Sequence, residues 1–272
     1  MPDPAFSTIE VGTDGPVGRL TLNRPDKLNP LSTHTLLELV DAARFFDARR
    51  DVKVVIVSGR GRAFSAGADV GAFVGPPPGG LSVRDAADAG WEMAEAIEGM
   101  RAVTVAAIHG HCVGGAVVLA AACDLRVAAE DTTFRIPEVD LGIPLAWGGI
   151  PRLVREIGPA MTRELVLTCR PFTAAEARAL GFVNRVVPAG ELSATVERLA
   201  GELAGRSALT LVSTKRHVNA VLAAASGTLH SWSDADGLVA ALADPESRQV
   251  GRAYLERVLG GRSRSVAEPP LA

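Results

Sequence analysis

Residues 52–59 and 102–108 read VKVVIVSG and AVTVAAI, runs in which β-branched and small apolar residues follow one another with scarcely a polar break. A strand with one wet face alternates apolar and polar residues. A run that is apolar throughout belongs in a sheet covered on both faces. DLRVAA (residues 124–129) reads as a third such strand. Between them lie stretches of helical period. One starts at Ser32 and carries Leu36, Leu39, Val40, Ala43 and Phe46; another runs from Ser82 to Met100. Ahead of both, Ser7–Val11 and Arg19–Leu22 flank the turn signal GTDGPVG and read as a hairpin. From Gly148 onward the pattern is mostly helical, with segments at 150–157, 161–167, 174–180, 191–204, 208–225 and 246–258. An α/β core followed by a helical tail is therefore expected. No internal sequence repeat or long linker interrupts it.

Composition excludes several functions. A net charge of −3 gives no electrostatic case for nucleic acid or an anionic membrane. The apolar run 113–123 is too short to span a bilayer. Cys112, Cys123 and Cys169 are odd in number and set in apolar runs, as reduced core residues would be. The N-terminus MPDPAFSTIEVG lacks a basic stretch followed by an apolar one, so no secretory leader is expected and the protein reads as cytoplasmic.

Known catalytic patterns fail one by one. GHCVGG does not match a dinucleotide fingerprint, and no lysine follows the glycines as a phosphate-binding loop requires. Ser65 in RAFSAG lacks the glycine two residues earlier that a nucleophile elbow needs. His109 and His111 stand without a carboxylate cluster, so no metal site is expected. Two glycine-bearing loops remain, SAGAD and VGG, each after a buried strand. Were those strands neighbours in one parallel sheet, both loops would emerge at the edge where α/β proteins bind ligands. Their backbone N–H groups would then be free to serve as a phosphate cradle or an oxyanion hole, or simply to pack a tight turn. Glu138, in FRIPEVDLGIP, is either a buried carboxyl raised toward neutrality, as a general base requires, or a solvated or ion-paired glutamate.

Taken in order, LNRPDKLNPLS, GRGRAFSAGADV, AAIHGHCVGGAVVLAAACDLRVAAEDTTFRIPEVDLGIP and RPFTAAEARALGFVNRVVP resemble the crotonase (enoyl-CoA hydratase/isomerase) superfamily, over residues 18 to 260. The resemblance implies a spiral of ββα units over residues 1–195, a helical trimerisation region over 196–272, and trimers or dimers of trimers. It implies coenzyme A thioester substrates and no permanently bound cofactor. By matching position, the amides of Ala68 and Gly115, with Gly114 beside them, would hold the thioester oxygen, and Glu138 would be the acid/base. CoA would lie against Ala66, Ala68 and Val70 and near the backbone of Leu28. Arg24, Lys27 and Arg257 would meet its phosphates, and Tyr254 would cover the acyl chain or adenine.

Two departures stand out. Hydratases of this superfamily use a second glutamate three residues beyond Gly115, where this chain has Val118. The sequence after Glu138 reads PLAWGG, so Trp147 is expected to narrow the acyl pocket. A single glutamate matches the double-bond isomerases. Three readings follow: an isomerase-type enzyme with Glu138 as sole acid/base, an inefficient hydratase, and a non-catalytic acyl-CoA binder. GAFVGPPPGG (residues 71–80) reads as a mobile loop that says nothing of acyl length.

Overall fold

The computed structural model describes residues 4–69, 80–231 and 233–265. In chain order it contains β1 (Ile9–Asp14), β2 (Val17–Leu22), α1 (Thr33–Ala48), β3 (Val54–Gly59), α2 (Val83–Gly99), β4 (Val103–Ile108), β5 (His111–Val113) and α3 (Gly115–Ala122). There follow β6 (Leu125–Ala129), β7 (Thr133–Arg135), α4 (Gly149–Thr168), β8 (Phe172–Thr173), α5 (Ala174–Ala179) and β9 (Arg185–Val187). The remaining helices are α6 (Leu192–Ala204), α7 (Ala208–Ser226), α8 (Asp234–Ala243) and α9 (Pro245–Ser265).

The main sheet has the order β1-β2-β3-β4-β6-β9. The β1–β2 hairpin is antiparallel, and every later pairing in this sheet is parallel. The continuous apolar runs now have their reason. Val55 and Val57 of β3, with Ala106 and Ile108 of β4, join the core beneath α1, α2 and α3. Their alternates Val54, Ile56, Val105 and Ala107 form a second core on the opposite face, closed by Leu192, Val196, Leu199 and Ala200 of α6. A sheet buried on both sides needs apolar residues at every position. The expected division between residues 195 and 196 thus falls inside α6, a helix that covers the sheet.

The smaller sheet, β5-β7-β8, discloses the repeat that the sequence hides. After each main strand the chain makes a second, shorter β contact with the neighbouring turn before entering a helix. Leu31 pairs with Ala68, Ser65 with Cys112, and β5 with β7, all in parallel. Strand, short β contact and helix then recur in series. The first turn is β2, the bridge at Leu31, and α1; the second is β3, the bridges at Ser65 and Ala68, and α2. The third is β4, β5 and α3, and the fourth is β6, β7 and α4. This is the spiral of ββα turns. Local signals fix the helix starts: Ser32 caps α1 through the Thr35 N–H, and Ser82 and Asp85 form a reciprocal capping box on α2. The segments expected at 150–157 and 161–167 are the two helical halves of α4, separated by a kink at Gly158, at φ 75° with Pro159 after it.

Candidate active site

β3 and β4 are parallel neighbours, so the loops that follow them leave the sheet at the same edge. The two loops are joined by hydrogen bonds: the Ser65 N–H donates to His111 O at 3.0 Å, and the Val113 N–H to Ser65 O at 3.2 Å. On the other side of the SAGAD loop, the Leu31 N–H donates to Gly67 O (2.8 Å) and the Asp69 N–H to Leu31 O (3.0 Å). In a parallel bridge of this kind the intervening N–H, that of Ala68, points away from Leu31. Gly115 opens α3, where the first N–H groups have no acceptor inside the helix. Among the described residues neither the Ala68 nor the Gly115 N–H has a backbone acceptor outside regular structure. Gly67, at φ 88°, lets the loops touch: a Cβ there would lie 2.3 Å from Val113 O and 3.6 Å from the Gly115 nitrogen.

Two side chains that the sequence leaves uncommitted brace this arrangement. Asn29, buried at φ 53°, donates to Arg60 O (2.8 Å) and Ala63 O (2.9 Å) and accepts from the Arg24 N–H (2.9 Å). Ser65 is buried, donates to Asn29 O at 2.7 Å and accepts from the Gly67 N–H at 3.1 Å. Its hydroxyl shapes the loop and is no exposed nucleophile. The only hint of Asn29 in the sequence was an asparagine before proline in a turn.

Glu138 is buried, and its Oε2 has no hydrogen-bond partner. A Cβ on Gly114 would stand 2.6 Å from its Oε1, so the carboxyl group lies at the entrance to α3. Burial pushes its pKa up from 4.5 to about 7, opposed only by a hydrogen bond from its own backbone. The solvated and ion-paired readings of Glu138 therefore fall. Asp140, two residues on, turns to Arg135 at 2.6 Å and is no second carboxylate for the site.

Ala68, Gly115 and Glu138 line one pocket with Val118, Trp147 and Leu238. Val118 is buried there, and Glu138 is the sole ionisable residue among the described lining. Leu238 comes from α8, an element with no clear pattern in the sequence. The polar residues expected around CoA are more dispersed. Arg24 pairs with Asp69 at 3.0 Å, and Lys27 is exposed on a short 3-10 turn beside it. The Leu28 carbonyl accepts from the Ala66 N–H at 2.8 Å, which ties that turn to the SAGAD loop. Tyr254, on α9, carries the guanidinium groups of Arg135 and Arg257 at 5.6 and 5.4 Å from its ring centre. No contact among the described residues brings Arg257 to Arg24 or Lys27. Val70 and residues 71–79 lie outside the described residues. Among the described residues no cluster of His, Cys, Asp or Glu could hold a metal, and no helix is long and apolar enough to cross a membrane.

A spiral of ββα turns with bare amides and a buried carboxyl group at one sheet edge defines a crotonase-like protein. The sequence model of the enoyl-CoA hydratase/isomerase family matches residues 12–259, and the chain belongs to that family. It is 38% identical over 218 residues to a probable enoyl-CoA hydratase of Mycobacterium bovis, covering 79% of this chain and 82% of that protein. It is 36% identical over 225 residues to a peroxisomal Delta(3,5)-Delta(2,4)-dienoyl-CoA isomerase of Arabidopsis thaliana, covering 78% and 81%. Among solved structures, an enoyl-CoA hydratase from Mycobacterium avium subsp. paratuberculosis superposes with a TM-score of 0.83 at 27% identity, over 92% of this chain and 99% of that one.

Proposed function

We propose that this protein is an acyl-CoA enzyme of the isomerase type, with Glu138 as its only acid/base. The Ala68 and Gly115 N–H groups receive the thioester oxygen as it gains negative charge, which acidifies the adjacent carbon. Glu138 removes a proton from that carbon and returns it two carbons further along, so the double bond moves and no water is consumed. The observation that carries the reading is a cavity with one carboxyl group: where a hydratase needs a second to hold water, Val118 presents methyl groups. A pKa near 7 lets Glu138 both accept and return a proton near neutral pH. Lys27, Arg24 and Arg257 serve the CoA phosphates in this reading, with Leu28 and Ala66 against the nucleotide and Tyr254 over the acyl chain or adenine. Three buried free thiols suit a reducing compartment such as the cytoplasm.

A second reading, slow hydration of 2-enoyl-CoA, is favoured by the hydratase names of several relatives. Turnover of purified protein on 2-enoyl- and 3-enoyl-CoA separates the two. The expected result is rapid conversion of 3-enoyl-CoA and slow hydration of crotonyl-CoA. Hydration at ordinary hydratase rates would overturn the isomerase assignment.

The assembly is part of the same proposal. Leu209, Val218 and Val221 on α7 are 77%, 52% and 69% exposed, and Lys215 is that helix's only buried residue. Large apolar side chains left this exposed on one helix mark an interface. The expected state in sedimentation at micromolar concentration is a trimer or hexamer, and a monomer would contradict it.

A further inference from the structure

We propose that Trp147 is the specificity-determining residue of the cavity, a rigid wall that limits the substrate to short acyl groups. The inference rests on the acyl-CoA reading above and deepens it. The indole occupies space that two glycines leave open. A Cβ on Gly90, in α2, would lie 2.1–2.2 Å from the Cδ2, Cε2 and Nε1 atoms of the ring. A Cβ on Gly115, at the start of α3, would lie 2.1 Å from Cζ3. The ring is thus wedged against both helices, with its benzo edge against the residue whose amide faces the thioester. It is 9% exposed, and it lines the cavity together with Leu238.

The wall is also held from behind. Trp147 has φ 62°, a left-handed backbone that residues with side chains seldom adopt. Such a conformation persists only where its surroundings enforce it. Arg152, fully buried, donates to Trp147 O (3.2 Å) and Gly148 O (3.3 Å). The guanidinium is fixed in turn by Glu95 at 2.7 Å and Glu98 at 2.5 Å. From α8, Asp234 accepts the Gly148 N–H at 2.8 Å. The turn that carries the ring is thereby pinned at Trp147 O, at Gly148 O and at the Gly148 N–H. An acyl chain that extends past the reacting carbons therefore meets packed indole and Leu238.

Kinetics of the wild type, Trp147→Phe and Trp147→Gly on butenoyl-, hexenoyl- and decenoyl-CoA test this, using whichever double-bond isomer the wild type converts. One surplus methylene in a filled pocket costs ~10-fold or more, so the wild type should fall by ~10²-fold or more in kcat/KM from the shortest to the longest substrate. The loss should be mainly in KM. Glycine accepts φ 62° without strain, and Trp147→Gly should raise kcat/KM for decenoyl-CoA by ~10-fold or more while lowering it for butenoyl-CoA. Trp147→Phe, which keeps a ring in place should the larger deletion fail to fold, should shift the profile part of the way. A flat wild-type profile overturns the proposal, as does a Trp147→Phe profile identical to the wild type's. A wild type that neither binds nor converts any of the three thioesters removes the acyl-CoA reading itself, and this inference with it.

Discussion

Replacing Glu138 by glutamine is expected to cut turnover by ~10²-fold or more while making the protein more stable at mildly alkaline pH. The two effects have one origin. The carboxyl group is buried, Oε2 has no partner, and burial lifts its pKa to about 7. As a base it must be ionised, so the wild-type rate should climb as pH rises through about 7 and then level off. Stability runs the opposite way. Between about 4.5 and about 7 the folded protein keeps the Glu138 proton and the unfolded chain does not, so stability falls as pH rises across that window. Above it, the buried charge costs ~3 kcal/mol, on the scale of ~1.4 kcal/mol per pKa unit. Glutamine has no charge to bury and should escape that cost. Melting temperatures at about pH 5 and about pH 8, read beside turnover, check both halves. An unchanged rate in the variant would remove Glu138 as the base. Equal melting shifts at the two pH values would remove the buried charge as the origin of the stability gain.

The parts of this fold that were legible in the sequence are those whose environment is uniform along the chain. β3, β4 and β6 are covered on both faces, and burial on both faces writes itself as an unbroken apolar run. α1 and α2 begin at serines that cap them, so their starts were readable to the residue. β5, β7 and β8 escaped notice because ladders of two or three residues owe their form to the neighbouring turn of the spiral. The role of α6 was hidden for another reason. Its apolar stripe says that one face is buried, and nothing in a stripe says that the partner is the far side of a sheet formed by residues 54–129. At the site, Gly114, Gly115 and Glu138 stood out by pattern and resemblance. The wedge of Trp147 did not, since it depends on a glycine 57 positions earlier in the chain and on Arg152 and Asp234 behind it. Narrowing of the pocket was readable from the tryptophan alone, but the means of holding it was not.

Gly114→Ala should be nearly as damaging as loss of the base, although it removes no functional group. Gly114 caps α3 at φ 55° and ψ −121°, outside the regions open to L-residues, so a side chain there costs ~1–3 kcal/mol in backbone strain. Its Cβ would also stand 2.6 Å from Glu138 Oε1. The carboxyl group is the free end of a side chain and is the easier of the two to move. The contact is therefore relieved by displacing the base rather than by unfolding the helix. Misplacing a reacting group by ~1 Å costs ~10²-fold in rate, and that is the expected loss in kcat. Thioester binding should change much less, because the Ala68 amide and the basic residues around Lys27 are untouched. Gly201, in the middle of α6 with nothing within 4 Å of a built Cβ, supplies the control: alanine there should leave turnover unchanged and leave stability equal or slightly higher. If Gly114→Ala retains turnover within ~3-fold of wild type, the carboxyl group is not held against the entrance to α3 during the reaction, and the proposed geometry of proton transfer is wrong.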